Sequence, residues 1–260
     1  MNSVILCEGE TDQILLSYYF NECFGFEYCS RLPKIAPKKL KENNKSESVC
    51  CYNRNDDNLI IWAVGGHSNF QKAMRKILQQ NKINSLTNGY YSHICIMTDN
   101  DSEEETTKFW QEINQILNDY EISEQIRAME WVKSTQLIDF DEKHSINLLG
   151  ICVPVDESGA LETALLNALA EDNGKTYIVK KSQDIIHDLL ENKEKFSNEY
   201  LSSRRDKIKA PLAVFFGITI PERTFINTDE LLKSINWEKQ ETIRNMFKPF
   251  DIYKMDSTSS

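Results

Sequence analysis

The chain opens on a short apolar run, Val4–Leu6, which closes in the polar turn Cys7-Glu8-Gly9-Glu10. That run predicts a buried strand. A helix follows, with Ile14, Leu15, Tyr18, Tyr19 and Cys23 at the spacing of one helical face. Leu59-Ile60-Ile61-Trp62-Ala63-Val64 is a continuous apolar run, the pattern of a strand buried on both faces, and Gly65-Gly66 ends it. Ser68 with Gln71 three residues on reads as a capping box, opening a helix striped by Phe70, Ala73, Met74, Ile77 and Leu78. Ile94-Cys95-Ile96-Met97 predicts a third strand, ending in Thr98-Asp99-Asn100-Asp101. Ser102 and Glu105 form a second capping box, ahead of a face made by Phe109, Trp110, Ile113, Ile116, Leu117 and Tyr120.

Buried strands alternating with amphipathic helices predict an α/β fold, a mostly parallel sheet flanked by helices. Further strands are expected near Arg127–Val132 and Leu148–Val155. Beyond Asp156 the pattern turns helical: Ala160–Ala170, Gln183–Phe196, Arg205–Phe216 and Asp229–Ile235, with a frayed tail from Met255 to Ser260. The expected division is an α/β domain over residues 1–155 and a mainly helical C-terminal region over 156–260. Residues 27–58 lack periodicity and set Lys34, Lys38, Lys39, Lys41 and Lys45 among prolines, asparagines and serines, so they read as an exposed basic insertion.

Composition changes this picture in one respect. The 260 residues carry 30 basic and 40 acidic side chains, a net charge of −10. That is the wrong sign for holding nucleic acid mainly by neutralising phosphates. A polyanionic substrate then needs a bridge from acid to phosphate, and a divalent metal is the usual one. No apolar run approaches the roughly 20 residues that span a bilayer, and Met1-Asn2-Ser3 lacks the basic start of a signal peptide. The expectation is a cytoplasmic protein without a membrane partner. The cysteine count of seven is odd and no CxxC pair occurs, so zinc and dithiol chemistry lack their spacing. Adjacent Cys50 and Cys51 are expected on a strand, Cys51 towards the core and Cys50 outward.

Open parallel sheets bind ligands at the carboxyl ends of their strands. Glu8 ends the first strand, Asp99 and Asp101 end the third, and Asp12 lies one helical turn after Glu8. Gathering such carboxylates is repulsive unless a hard cation such as Mg²⁺ joins them. A D-x-D pair in an asparagine-bearing turn is also what plain solvation produces. Glu103, Glu104 and Glu105 are explained by the helix dipole.

Val4-Ile5-Leu6-Cys7-Glu8-Gly9-Glu10-Thr11-Asp12 resembles the first motif of the Toprim domain, and Ile94-Cys95-Ile96-Met97-Thr98-Asp99-Asn100-Asp101 resembles the second. The resemblance covers the first 150 residues or so. Gly159-Ala160-Leu161-Glu162, followed by Leu165-Leu166, is similar to a glycine–apolar–glutamate element of the overcoming-lysogenization-defect (OLD) nucleases and related small stand-alone Toprim proteins. Asp206-Lys207-Ile208-Lys209-Ala210 resembles a late basic element of those proteins. Gly65-Gly66-His67-Ser68-Asn69-Phe70 fits their second strand–helix turn, with His67 where lysine is commoner. Glu162 reads equally well as a solvated helix face, and Lys207 and Lys209 as surface lysines.

The resemblance implies a nuclease dependent on Mg²⁺ or Mn²⁺, with one or two ions. Asp99 and Asp101 would hold one ion, Glu8 would be a ligand or the general base, and Glu8, Asp12 and Glu162 would seat a second ion about 4 Å away. Lys207 or Lys209 would neutralise charge on the phosphate. The implied substrate is DNA or RNA, tRNA included, and the implied setting is antiphage defence beside an ABC-type or SMC-like ATPase. No Walker-type run is present, so that ATPase would be a separate polypeptide. The length leaves no room for topoisomerase tyrosine modules, and no Cys/His zinc module of a primase is seen. The alternatives are a non-catalytic Toprim-like interaction or nucleotide-binding module and a primase-like nucleotidyl transferase.

Overall fold

The computed structural model describes residues 1–40, 44–84, 89–137, 143–195, 199–221, 228–233 and 235–254. Two compact units divide the chain, Met1–Cys152 with Lys248–Ser260, and Val153–Phe247. The first ends close to the expected boundary, but the last segment returns to it rather than staying with the helical region.

The first unit is built on one sheet of seven strands: β1 (Asn2–Cys7), β2 (Glu27–Cys29), β3 (Ser48–Arg54), β4 (Asp57–Ala63), β5 (His93–Asp99), β6 (Val132–Leu137) and β7 (Lys143–Val153), in the order β2-β3-β4-β1-β5-β7-β6. The centre is parallel, with β1 pairing β4 on one side and β5 on the other. The edges are antiparallel, β2 on β3, β3 on β4 and β6 on β7. Val4, Ile5, Leu6 and Cys7 are each at most 1% exposed, as a strand covered on both faces requires.

The helices α1 (Glu10–Phe24), α2 (Phe70–Asn84) and α3 (Glu103–Asp119) follow β1, β4 and β5. One sheet face, through Val4, Leu6, Ile60, Trp62 and Ile96, joins Met74 and Ile77 of α2 and Ile113 and Leu117 of α3 in one core. The second unit holds α4 (Leu161–Ala170), α5 (Asn173–Glu191), α6 (Arg204–Thr219), α7 (Thr228–Lys233) and α8 (Glu241–Met246). The fold is thus α/β with a helical C-terminal region.

Several expectations are corrected. Residues 27–58 are not a featureless insertion: they supply β2, β3 and the start of β4, while 41–43 lie outside the described residues. Cys51 is buried and Cys50 half-buried on β3, as alternation demands. The buried side of α1 is Gln13, Leu16, Phe20 and Phe24 as well as Leu15 and Tyr19, because Gln13 donates to the carbonyls of Ile61 (2.7 Å) and Ser48 (3.4 Å). The Ser68–Gln71 box does not form. A 3-10 turn, His67–Asn69, precedes α2, and Gln71 instead reaches Glu112 at 2.8 Å. At 127–132 there are only isolated bridges, Arg127 with Glu130 and Ala128 with Gly150, and β6 starts where that strand was expected to stop. Helix α5 starts ten residues before Gln183, capped by the Asp172 side chain on Gly174 N–H. Phe196 and the tail Met255–Ser260 lie outside the described residues.

The polar anchor of the first unit is Glu47, which is fully buried. Its Oε1 accepts the Leu40 N–H at 2.6 Å and the Trp62 indole N–H at 3.1 Å. Glu47→Ala orphans both donors, at about 1–3 kcal/mol each. Urea unfolding is expected to show a loss of about 2–4 kcal/mol, with Glu47→Gln, which keeps an acceptor, losing clearly less. Equal stability of the two variants would refute this anchoring role.

Candidate functional site

The parallel pairing decides where the first-unit acids emerge. Strand β1 ends at Cys7, whose carbonyl accepts the Val64 N–H at 2.9 Å. The next carbonyl, that of Glu8, accepts the N–H groups of both Gly65 (3.1 Å) and Gly66 (3.0 Å). Those two residues have φ of +77° and +118°, the region that glycine alone enters freely. A Cβ on Gly65 would also stand 2.7 Å from the Asn44 side-chain nitrogen. The glycine pair therefore closes β4 onto the end of β1 and fixes the Glu8 backbone.

On the other side, Leu6 is in register with Ile96. Continuing that register sets Glu8 beside Thr98 and Gly9 beside Asp99, on strands about 4.8 Å apart. Glu8, Asp99 and Asp101 are all half-buried. Among the described residues the Glu8 carboxylate takes no hydrogen bond, and the buried Thr98 hydroxyl beside it has no partner. Asp12 has a structural duty: it is buried, and its Oδ2 accepts the Gly9 N–H at 2.8 Å, closing the turn into α1. Ser102 and Glu105 form the expected box at the start of α3. The His67 ring packs on Phe109, with centroids 4.8 Å apart.

Cys7 and Cys95 lie under this edge, fully buried. Burial pushes the Cys7 thiol up, and Asp12 adds to it; burial alone raises Cys95. Both remain protonated thiols in neutral solution.

Glu162, Lys207 and Lys209 belong to the second unit. Glu162 lies in the first turn of α4, 8% exposed, and pairs with Lys209 of α6 at 2.6 Å. Lys207 is exposed, and Asp206 serves as the capping-box partner of Ser203, whose hydroxyl and backbone N–H hold that carboxyl below its usual range. Sequence reasoning named Glu162 and Lys209 separately and missed that they bind one another. Among the described residues, no group of three or more His, Cys, Asp or Glu side chains is placed to hold a metal.

The model of one protein family, described as protein of unknown function (DUF3226), matches residues 2–246. The chain belongs to the DUF3226 family. The match runs through both units, so the Glu8–Asp99 edge and the Glu162–Lys209 pair are both inside the DUF3226 region. The crystal structure of hypothetical protein PH0156 from Pyrococcus horikoshii OT3 is similar at 14% identity with a TM-score of 0.41, covering 90% of this chain and 98% of that one. No curated protein matches the chain significantly. Among the described residues no helix is long and apolar enough to cross a membrane.

Two outcomes follow from this geometry. Lys209→Met leaves a nearly buried carboxylate unpaired; with Lys209 itself 39% exposed, the cost is expected at about 1–2 kcal/mol by denaturation, and Glu162→Gln in the same chain recovers part of it. A Lys209→Met variant as stable as the parent would show the pair to be idle. Cys7 and Cys95, protonated because burial raises them, are expected to resist a thiol reagent at pH 8 until the chain is denatured; rapid labelling of either in the folded protein refutes their burial.

Proposed function

We propose that this chain is a Mg²⁺- or Mn²⁺-dependent phosphodiesterase acting on DNA or RNA, of the Toprim kind. The observation that carries the reading is that Glu8 follows β1 and Asp99 ends β5, so both acids stand at the carboxyl ends of adjacent parallel strands. That edge is where open α/β sheets bind ligands.

By residue type the donors suit the ion, although among the described residues Glu8, Asp99 and Asp101 are not gathered into a group that could hold it. Asp99 and Asp101, with Glu8 across the strand pair, offer only carboxylate oxygens, and Mg²⁺ commonly takes one or two carboxylates with water and phosphate oxygens around the rest. Bound there, the ion would lower the pKa of water and draw charge from a phosphate oxygen. Glu8, whose backbone is fixed by Gly65 and Gly66, would either ligate the ion or take the proton of the attacking water. Asp12 orients rather than reacts, holding the Gly9 N–H and so the turn that presents Glu8. The reading rests on first-unit residues alone. Glu162, with Lys209 at 2.6 Å, already has its counter-ion.

In this reading the chain is the cytoplasmic effector of an antiphage system, and an ABC-type ATPase on another polypeptide governs its access to substrate. The competing reading is a non-catalytic module that a partner recognises. It is favoured by one observation: two of the five acids expected to bind metal, Asp12 and Glu162, are engaged in a helix turn and an ion pair.

The purified chain with DNA or RNA and Mg²⁺ or Mn²⁺ is expected to cut, and Glu8→Ala and Asp99→Ala are each expected to lower the rate by about 100-fold or more. Parent-level cutting by both variants overturns the assignment. No calorimetric binding of either ion supports the module instead.

A further inference from the structure

The segment joining β2 to β3 carries Lys34, Lys38, Lys39 and Lys45, all exposed. Among the described residues none of the four forms an ion pair. Lysines on a loose loop are ordinary solubility features, but this segment is pinned at successive points. The Ile35 carbonyl accepts the Tyr91 hydroxyl and the Gln80 amide of α2, each at 2.5 Å. The carbonyls of Lys38 and Lys39 both accept from Lys76 of α2, at 2.6 and 3.2 Å. Leu40 is tied to the buried Glu47. Asn44, Glu47 and the Ser46 carbonyl carbon then crowd Gly65.

These contacts define a direction. Gln80 and Lys76 are about one turn apart on α2, about 6 Å along its axis. Residues 35–39 therefore run along α2 towards its N-terminus, and residues 44–47 lie against Gly65, whose N–H is on the Glu8 carbonyl. Sheet topology gives the same endpoint: Ser48, the first residue of β3, pairs with Ala63, and Ala63 pairs with Cys7. Burial pushes the Cys50 thiol up, Glu10 adds to this and Lys39 opposes it.

We propose that this lysine segment is a binding track for the nucleic-acid backbone, leading a phosphate to the Glu8–Asp99 edge. The destination rests on the phosphodiesterase reading; the binding does not. Lys34, Lys38 and Lys39 in the stretch fastened to α2, with Lys45 in the stretch against Gly65, offer four cations without an ion pair among the described residues, which suits a chain of phosphates, and no base-specific group is needed for such contact.

The test is fluorescence anisotropy of the full chain with a labelled single-stranded DNA or RNA oligonucleotide in EDTA, across a salt series. The variant carries Lys34→Gln, Lys38→Gln, Lys39→Gln and Lys45→Gln. A control of equal net charge carries Lys175→Gln, Lys180→Gln, Lys181→Gln and Lys193→Gln. The track variant is expected to bind about tenfold or more weakly at low salt, with the slope of log K against log salt shallower by about 2–3, while the control stays near the parent. No binding by the parent, or equal losses in the two variants, overturns the track. Cleavage separates the two proposals: an inactive parent whose binding still depends on these lysines sinks the phosphodiesterase and keeps the track, whereas a track variant that cuts with unchanged KM does the reverse.

Discussion

Strand β1 is the constraint on which the rest of the first unit depends. It is hydrogen-bonded in parallel on both sides and buried on both faces, so no side chain between Val4 and Cys7 can be charged. A charge brought there would lose its hydration with nothing to replace it. The first position where the chain can turn acidic is Glu8, and the neighbouring β5 obeys the same rule, staying apolar from Ile94 to Met97 and turning acidic at Asp99. Burial thus forces the acids out of the strands, and parallel register brings them out at the same edge. The Gly65–Gly66 turn belongs to the same constraint, since the Glu8 carbonyl has left the ladder and takes its hydrogen bonds from these two residues.

The second sheet face is closed by a different device. Phe20 of α1 stacks against Phe24, Phe26, Phe250 and Tyr253, with ring centroids 4.9–5.6 Å apart. This aromatic cluster explains why Lys248–Tyr253 returns to the first unit. Arg54 bridges the same region, donating to the carbonyls of Phe24 and Tyr253 while its guanidinium lies 4.7 Å over the Phe26 ring. The antiparallel edge β3 is thereby tied to α1 and to the C-terminal segment together, leaving the carboxyl edge of the sheet to the turns that carry Glu8, Gly65 and Asp99.

What was legible in the sequence follows from these causes. Strands β1, β4 and β5 and helix α3 were readable because two-sided burial writes a continuous apolar run and because Ser102 and Glu105 close a local box. Strands β2 and β3 were not, since β2 has three residues and β3 follows Glu47, a carboxylate that looks like a surface residue until Trp62 and Leu40 are seen to donate to it. The face of α1 was misjudged for the same reason: Gln13 is buried as an acceptor for Ser48 as well as a donor to Ile61, contacts made 35 and 48 residues away. In the candidate site, Glu8 and Asp99 were visible because each ends a strand. The Glu162–Lys209 pair was invisible as a pair, because 47 residues separate two helices whose packing no local pattern records.

The net charge of −10 takes on a different meaning once positions replace totals. At physiological salt the Debye length is about 8 Å, so a polyanion at the surface responds to the charges nearest to it and hardly at all to those on the far side. Among the described residues Lys34, Lys38, Lys39 and Lys45 of the β2–β3 connection form no ion pair, whereas Arg75 of α2 is neutralised by Asp119 at 2.8 Å. An acidic total and a local cationic strip are therefore compatible. On the proposed reading the acids at the strand ends would repel a phosphate until a cation joined them, while the lysines would attract it throughout. On the proposed reading an order of events would follow: lysine would hold the backbone first, and a phosphate would settle at the carboxylates only with metal present.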